Sequence, residues 1–464
     1  MSARAEHAKP QRALMICYFF PPCAIVGAMR SSKFVKYLGE FGWHSTVLTS
    51  YEGGKREYDG NSRVDVHSTL MVELNALWPV VAPMVYLVAG IVGKLKGWFK
   101  GRSRKREPRV DSGPVAATAE DRLGDRIKRW LLVPDVQVLW IPLALPKALR
   151  LARQCDVIYT SLSPFSAHVL GLIVKKMTRR PWVADYRDEW SLNRGWLPPT
   201  RFHRWLGEKL DGACVRSADI VINTTETRTT MFVEHFGGPN EKAVTIHNGY
   251  DGEDIAKYRD VPAPTDGFVM TSIGSLYGGR DPRPFLQAVD QLVEAGLIDR
   301  QGLKIRLIGD QDQHLVVGID ALGISDCVEC WPRIPQEQAF MQLAKSHVAL
   351  LVGSDMERVA MTTKVYEYVG MGKPILALVP EGPVHDFVKR SGGWCAAPDN
   401  VADIKNVLMQ MIGLRRQGRS WPQAPSDFAM KYERRELTRQ LSRCFNSCIA
   451  PRPGLVSSPP SPGD

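Results

Sequence analysis

A chain of 464 residues is too long for one hydrophobic core, so two domains are expected; 44% hydrophobic and 23% charged residues give a globular balance and exclude a disordered chain. Most of the formal net charge of +11 sits in one stretch, Lys94 to Arg109, where eight basic residues accompany a single acidic one, Glu107. The rest is close to balanced, which excludes a broad nucleic-acid-binding face.

Short apolar runs alternate with amphipathic stretches, the mark of parallel sheets covered by helices. The N-terminal segment has no apolar core long enough for a signal peptide, and a cytosolic protein is expected. Ala13–Phe19 is the first predicted strand. A loop to Gly27 leads into a helix from about Ala28 to Phe41, with Phe34, Val35, Leu38 and Phe41 on its core stripe and Gly42 as its stop. Ser45–Thr49 is the next strand.

The alternation then breaks at Leu74–Val92, an almost wholly apolar stretch followed by the basic run. It is long enough to span a bilayer, but Pro79 and Pro83 would break a helix, so a re-entrant or interfacial contact is expected, with the basic run against anionic headgroups. The alternative is a buried helix pair and a solvated linker.

Further strands at Val157–Ser161, Trp182–Asp185, Ile220–Asn223 and Val244–His247 complete a first domain of residues 1–260, with the apolar and basic insert at about 70–120. A second domain, 261–425, opens on the connector Val261-Pro262-Ala263-Pro264. Its strands are Phe268–Ile273, Lys304–Ile308, Cys327–Cys330, Val348–Val352 and Ile375–Val379. Residues 426–448 read as a helix of about 35 Å. The tail 449–464 is expected to be disordered.

The nine cysteines form no disulfide framework. Cys327 and Cys330 have CxxC spacing without a second pair, and Cys444 and Cys448 lie one helical turn apart; reduced thiols and no metal site are expected.

The stretch from Thr362 to Leu378 carries the chemistry: a helix followed at once by a buried strand, with polar groups gathered at the helix start. Thr363 is placed to cap the first N–H groups, and those groups with Lys364 suit an anion. Glu367, one turn on, is placed to accept hydrogen bonds from the hydroxyls of a ribose. Gly370 and Gly372 end the helix. In the second-domain opening, Gly274 lets the backbone come close, and Arg280 and Arg283 follow, a residue type that grips phosphate in a bidentate way. These segments suggest a nucleotide diphosphate site; an ordinary crossover helix and a surface loop are the bland alternatives. In the first domain, Gly27 with Arg30, His168, and Asp185 with Arg187 and Asp188 all follow strand ends or open helices, where open α/β sheets place ligands. Asp188 is a candidate for taking a proton from a hydroxyl substrate, with Arg187 and His168 as further catalytic candidates, and Gly27, Arg30 and Asp185 are candidates for binding that substrate, the acceptor in the resemblance given below. The alternatives are an internal salt-bridge cluster and, for His168, helix packing.

Taken in order, CYFFPPCAIVGAMRSSKFVKYLGEFGWHSTVLT, PWVADYRDEW, TIHNGYD, SIGSLYGGRDPRPFLQAV and TTKVYEYVGMGKPILAL give a chain that resembles the retaining glycosyltransferases of family 4 over nearly its whole length. The resemblance implies the GT-B fold: two facing Rossmann-like domains, with a terminal helix crossing back to the first. It implies transfer of a sugar from a nucleotide-diphosphate sugar to a hydroxyl acceptor, with retention and without a metal or other cofactor. The insert suggests a lipid-linked or cell-surface polysaccharide precursor as acceptor and a peripheral place on the inner face of the cell membrane. Arg280, then Arg283, match the family's basic residue at the leaving diphosphate. The segment holding Arg333 matches the one along the base, and Glu367 matches the second of two family glutamates spaced by seven residues. The first of these falls on Val359, with Glu357 two residues early; Arg187 and Asp188 stand where several relatives have a histidine. Closure about residues 248–264 is expected to align donor and acceptor. The other readings are a nucleotide-sugar epimerase of the same fold and a catalytically inactive membrane-associated partner.

Overall fold

A computed structural model describes residues 11–23, 26–50, 64–70, 133–193, 196, 198, 200–237, 242–276, 279–311, 313–419 and 421–450. The apolar segment 74–92, the basic run 94–109 and the tail 451–464 lie outside the described residues. The chain divides into two compact units. One comprises Met1–Asn223, Phe232–Val244 and Ser442–Asp464; the other comprises Thr224–Met231 and Thr245–Leu441.

The first unit is built on a seven-stranded sheet of β1 (Gln11–Ile16), β2 (Trp43–Thr49), β3 (Val64–Ser68), β4 (Val157–Leu162), β5 (Trp182–Tyr186), β6 (Ile220–Asn223) and β7 (Ala243–Thr245). Its order is β3-β2-β1-β4-β5-β6-β7, and β1 through β6 pair in parallel. The central strands are near-continuous apolar runs because helices cover both faces. Leu14, Ile16, Ile158, Trp182 and Ala184 enter one core with the helices Trp140–Ala152 and Phe165–Thr178. On the other face Phe34 lies edge-on to Tyr159, 6.3 Å between ring centroids. The predicted first helix is observed as Val26–Leu38 continued by a 3-10 turn Gly39–Phe41, and Gly42 closes it at φ 83°. β3 escaped the sequence reading because VDVHS is a half-buried edge strand with little apolar content.

The second unit holds a six-stranded parallel sheet: β8 (Phe268–Ile273), β9 (Leu303–Ile308), β10 (Val328–Trp331), β11 (Val348–Val352), β12 (Ile375–Leu378) and β13 (Trp394–Ala396). The order is β10-β9-β8-β11-β12-β13. Alternate residues feed two cores, as the period of a strand requires. Val348, Leu350 and Val352 face one core, and Ala349 and Leu351 the other.

The helix expected over 426–448 is observed as two, Ser426–Met430 and Arg434–Ile449. The break comes from tertiary hydrogen bonds: the Tyr250 N–H donates to the Tyr432 carbonyl at 3.0 Å, and the Arg434 N–H donates to the Tyr250 carbonyl at 2.8 Å. From Ser442 on, the second helix belongs to the first unit, where Phe445 packs edge-on to Trp43 and Tyr159. All nine cysteines are free thiols. Among the described residues no helix is long and apolar enough to cross a membrane.

Both sheets reverse their winding once, between β1 and β4 and between β8 and β11. Such switch points open a crevice at the carboxyl ends of the strands, and these are the places to look for ligands.

Candidate functional site

At the second unit's switch point, β8 is followed by Gly274, which takes φ +117°. This backbone is open to glycine and strained for other residues. A side chain here would also collide with Lys364, whose Nζ lies 2.0 Å from the place a Cβ would take. On its other side Gly274 meets Gly309, the residue after β9, and the Gly274 N–H donates to the Ile308 carbonyl at 2.7 Å. Two glycines thus bring the ends of β8 and β9 together and clear a berth for the lysine.

Lys364 opens the helix Lys364–Gly370. Burial, and after it the charge of Arg280, push its pKa down to about 8. Arg280 reaches the same place from the loop after β8, where its Nη2 donates to Glu357 Oε1 at 3.2 Å. Glu367, one turn along the helix, has its pKa pushed up to about 7 by burial, against the pull of Arg434 and Lys364. Two strand-end loops and one helix therefore deliver two cations and two carboxylates to one crevice. Such a composition suits a ligand with a doubly charged diphosphate and vicinal hydroxyls.

The structure brings together Gly274, Arg280, Lys364 and Glu367 of the residues predicted for this site. Thr363 stands at the N-cap of the helix, but its side chain makes no cap hydrogen bond, because its backbone is already helical at φ −67° and ψ −24°. That corrects the expected hydroxyl cap. Arg283 begins the next helix, Arg283–Glu294, and its Nε and Nη2 grip the carboxylate of Asp281 at 2.8 and 2.6 Å. Arg333 is exposed in the loop after β10, the edge strand of the sheet. Val359 is 47% exposed, whereas Glu357 is 4% exposed and turned inward. Two participants escaped the sequence reading. Arg434, 5% exposed on the C-terminal helix, acts on Glu367 from 67 positions away, and no local pattern announces it. Ser354, which holds Glu357, could have been found as the start of the capping-box spacing Ser354-x-x-Glu357.

In the first unit, the switch point gathers Gly27, Ser163, Arg187 and Asp188. Arg187 Nη1 lies 2.7 Å from where a Gly27 side chain would begin, so only glycine leaves the guanidinium its place. Arg187 donates from Nε and Nη2 to Asp188 Oδ2 at 3.2 and 3.1 Å, and Nη2 stands 3.5 Å from Ser163 Oγ. Asp188 remains 45% exposed. The loop that carries them is tied down by buried Asp211, which accepts from the Ser191 N–H and hydroxyl and from the Tyr186 hydroxyl.

Three first-unit candidates lie beneath this surface. Asp185 and Arg30 are 0% and 1% exposed and form a bidentate pair, Nε to Oδ2 at 2.7 Å and Nη2 to Oδ1 at 3.1 Å, with the Tyr159 hydroxyl also donating to Asp185. The expectation that these two touch an acceptor gives way to a buried pair that joins the first helix to β5. His168 is fully buried, edge-on to Tyr186 and Trp182, with its pKa pushed down to about 3 by burial alone. A neutral imidazole packed among aromatic rings has no route to a proton on a bound substrate, so the helix-packing reading replaces the catalytic one.

The model of the glycosyl transferase 4-like domain matches residues 28–249. No curated protein matches the sequence. Solved structures of similar fold include Anabaena Alr3699/HepE with UDP, 16% identical, with 94% of this chain and 100% of that one covered at a TM-score of 0.57. The same protein with UDP-glucose matches at 0.55. Sucrose-phosphate synthase from Thermosynechococcus elongatus is 12% identical, with 94% and 98% covered and a TM-score of 0.57. The lipopolysaccharide outer core galactosyltransferase WaaB is 10% identical, with 94% and 99% covered and a TM-score of 0.52. The fold is that of the GT-B proteins, two Rossmann-like parallel-sheet domains.

Proposed function

We propose that the chain is a glycosyltransferase that moves a sugar from a nucleotide-diphosphate sugar to a hydroxyl acceptor. The observation that carries this reading is the convergence of Arg280 and Lys364 beside Gly274, with Glu367 one turn away, at the switch point of the second sheet. The glycosyl transferase 4-like match over 28–249 and the complexes of HepE with UDP and UDP-glucose support it. In this reading Glu367 accepts the ribose hydroxyls. Lys364 and Arg280 stabilise the charge that grows on the diphosphate as it leaves, an electrostatic task done by groups already in place. Asp188, held by Arg187 and half exposed, faces the acceptor hydroxyl. Two cations at the diphosphate suit catalysis without a metal, so activity should survive a chelator. Retention follows from the family resemblance and is checked by the anomeric configuration of the first product formed.

A lipid-linked or cell-surface glycan precursor is proposed as the acceptor. WaaB, a lipopolysaccharide outer core galactosyltransferase, shares the fold, and the apolar and basic stretch 74–109 suits the membrane surface where such an acceptor is presented. The experiment is a binding and turnover screen against UDP-, GDP-, TDP- and CMP-sugars, with Glu367→Ala and Arg280→Ala as controls. Selective binding lost in both variants is expected. Interconversion of the donor sugar without an acceptor would turn the reading to an epimerase. A folded protein that binds none of them would favour the non-catalytic membrane partner, a reading to which Val359 at the family's first glutamate position lends weight.

A further inference from the structure

Glu357 lies in the 3-10 turn Asp355–Arg358 that follows β11, the strand beside β8 at the switch point, yet it offers nothing to a ligand. Its side chain is 5% exposed, and both carboxylate oxygens are taken up by the protein. Oε2 accepts from the Ser354 N–H at 2.7 Å and from the Ser354 hydroxyl at 2.9 Å, while Oε1 accepts from Arg280 Nη2 at 3.2 Å. The Ser354 bonds are part of a capping box that closes the 3-10 turn Asp355–Arg358, so the carboxylate belongs to a rigid piece of backbone. Gly279, next to Arg280 in sequence, leans on the Ser354 side chain at 3.4 Å from its own would-be Cβ.

A guanidinium has five N–H donors in a fixed plane. With Nη2 fastened to Glu357 and 27% of the side chain still exposed, Arg280 keeps further N–H donors for a ligand. We infer that Glu357 is the positioning residue of the donor site: it aims Arg280 at the diphosphate and does not itself bind the sugar. The inference rests on the donor-site reading above and gives a role to a residue that this reading leaves out. A long arginine side chain free in solvent loses rotamer freedom when it grips a phosphate, and a fixed carboxylate removes that loss before the ligand arrives.

Glutamine is not a neutral replacement here. The Ser354 N–H and the Arg280 N–H point at different oxygens, so whichever way the amide turns, one donor faces another donor. Calorimetric titration of UDP, or of whichever nucleoside diphosphate the screen selects, into the wild type, Glu357→Gln, Arg280→Ala and the double variant reads the effect directly. Glu357→Gln is expected to weaken binding about tenfold, the size of one hydrogen bond to a charged group. The double variant is expected to bind no more weakly than Arg280→Ala alone, because an aiming residue has nothing left to aim. Thermal unfolding of each variant separates this from a collapsed loop, which would lower binding in the double variant below that of Arg280→Ala. Unchanged binding by Glu357→Gln, or additive losses in the double variant, would overturn the inference while leaving the donor site standing. No binding by the wild type would remove the donor site and this inference with it.

Discussion

At the scale of single residues, the proposed donor crevice is governed by two side chains whose charges are held near their tipping points. Burial raises the pKa of Glu367 from 4.5 to about 7 and lowers that of Lys364 from 10.5 to about 8. A ribose needs the carboxylate ionised, which happens as pH rises through about 7. A diphosphate needs the ammonium charged, which is lost as pH rises through about 8. Donor affinity measured by calorimetry should therefore peak between these values, and Glu367→Gln should remove the acid limb alone. Stability carries the opposite sign for the carboxylate. Its folded pKa is above its unfolded one, so it contributes stability below about pH 4.5 that is lost as pH rises through about 7, and Glu367→Gln should unfold at a higher temperature than the wild type at pH 8. Gly274→Ala tests the berth of Lys364. The new methyl would meet the ammonium and adopt a disfavoured φ, so a stability loss of about 1–3 kcal/mol and at least tenfold weaker donor binding are expected.

At the scale of elements, the buried Arg30–Asp185 pair ties the first helix of the first unit to β5 and so sets where Gly27 and Arg187 stand. Removing one partner leaves a charge in the core. Arg30→Met is expected to cost about 3–5 kcal/mol in urea unfolding, and the double variant Arg30→Met with Asp185→Asn less. If instead Arg30 held the acceptor, Arg30→Met would keep its stability and raise the acceptor KM, which is the outcome that would refute the buried-pair reading. The same logic explains why the terminal helix is broken at 431–433. Residues 426–448 look helical when read alone, yet Tyr250 takes the Tyr432 carbonyl and the Arg434 N–H into a short bridge, and Glu433 then caps the new start by accepting from the Arg435 and Glu436 N–H groups.

At the scale of the molecule, the terminal helix begins in the second unit and ends in the first, where Phe445 is fully buried against Trp43 and Tyr159. Phe445→Ala should cost about 3–5 kcal/mol, read by thermal or urea unfolding, because a large ring is deleted from a close-packed core. The alternation of strands and helices was legible in the sequence because fully covered parallel strands are continuous apolar runs, as Val348–Val352 and Ile375–Leu378 show. Short or polar strands such as Val64–Ser68 and Trp394–Ala396 were not, since their pairing depends on neighbours distant in the chain. Gly274, Arg280, Lys364 and Glu367 were legible as chemistry because a strand end, a loop arginine and a helix start are local patterns. The sequence by itself thus determined the class of the fold and named the residue types from which a donor crevice is proposed. Only the tertiary structure decided that Glu357 turns inward to hold Arg280, that Arg434 acts on Glu367, and that Arg30, Asp185 and His168 lie in the core. The reason is physical: burial and ion pairing are properties of neighbours in space, and nothing in the local pattern of a charged residue says which neighbour will take its charge.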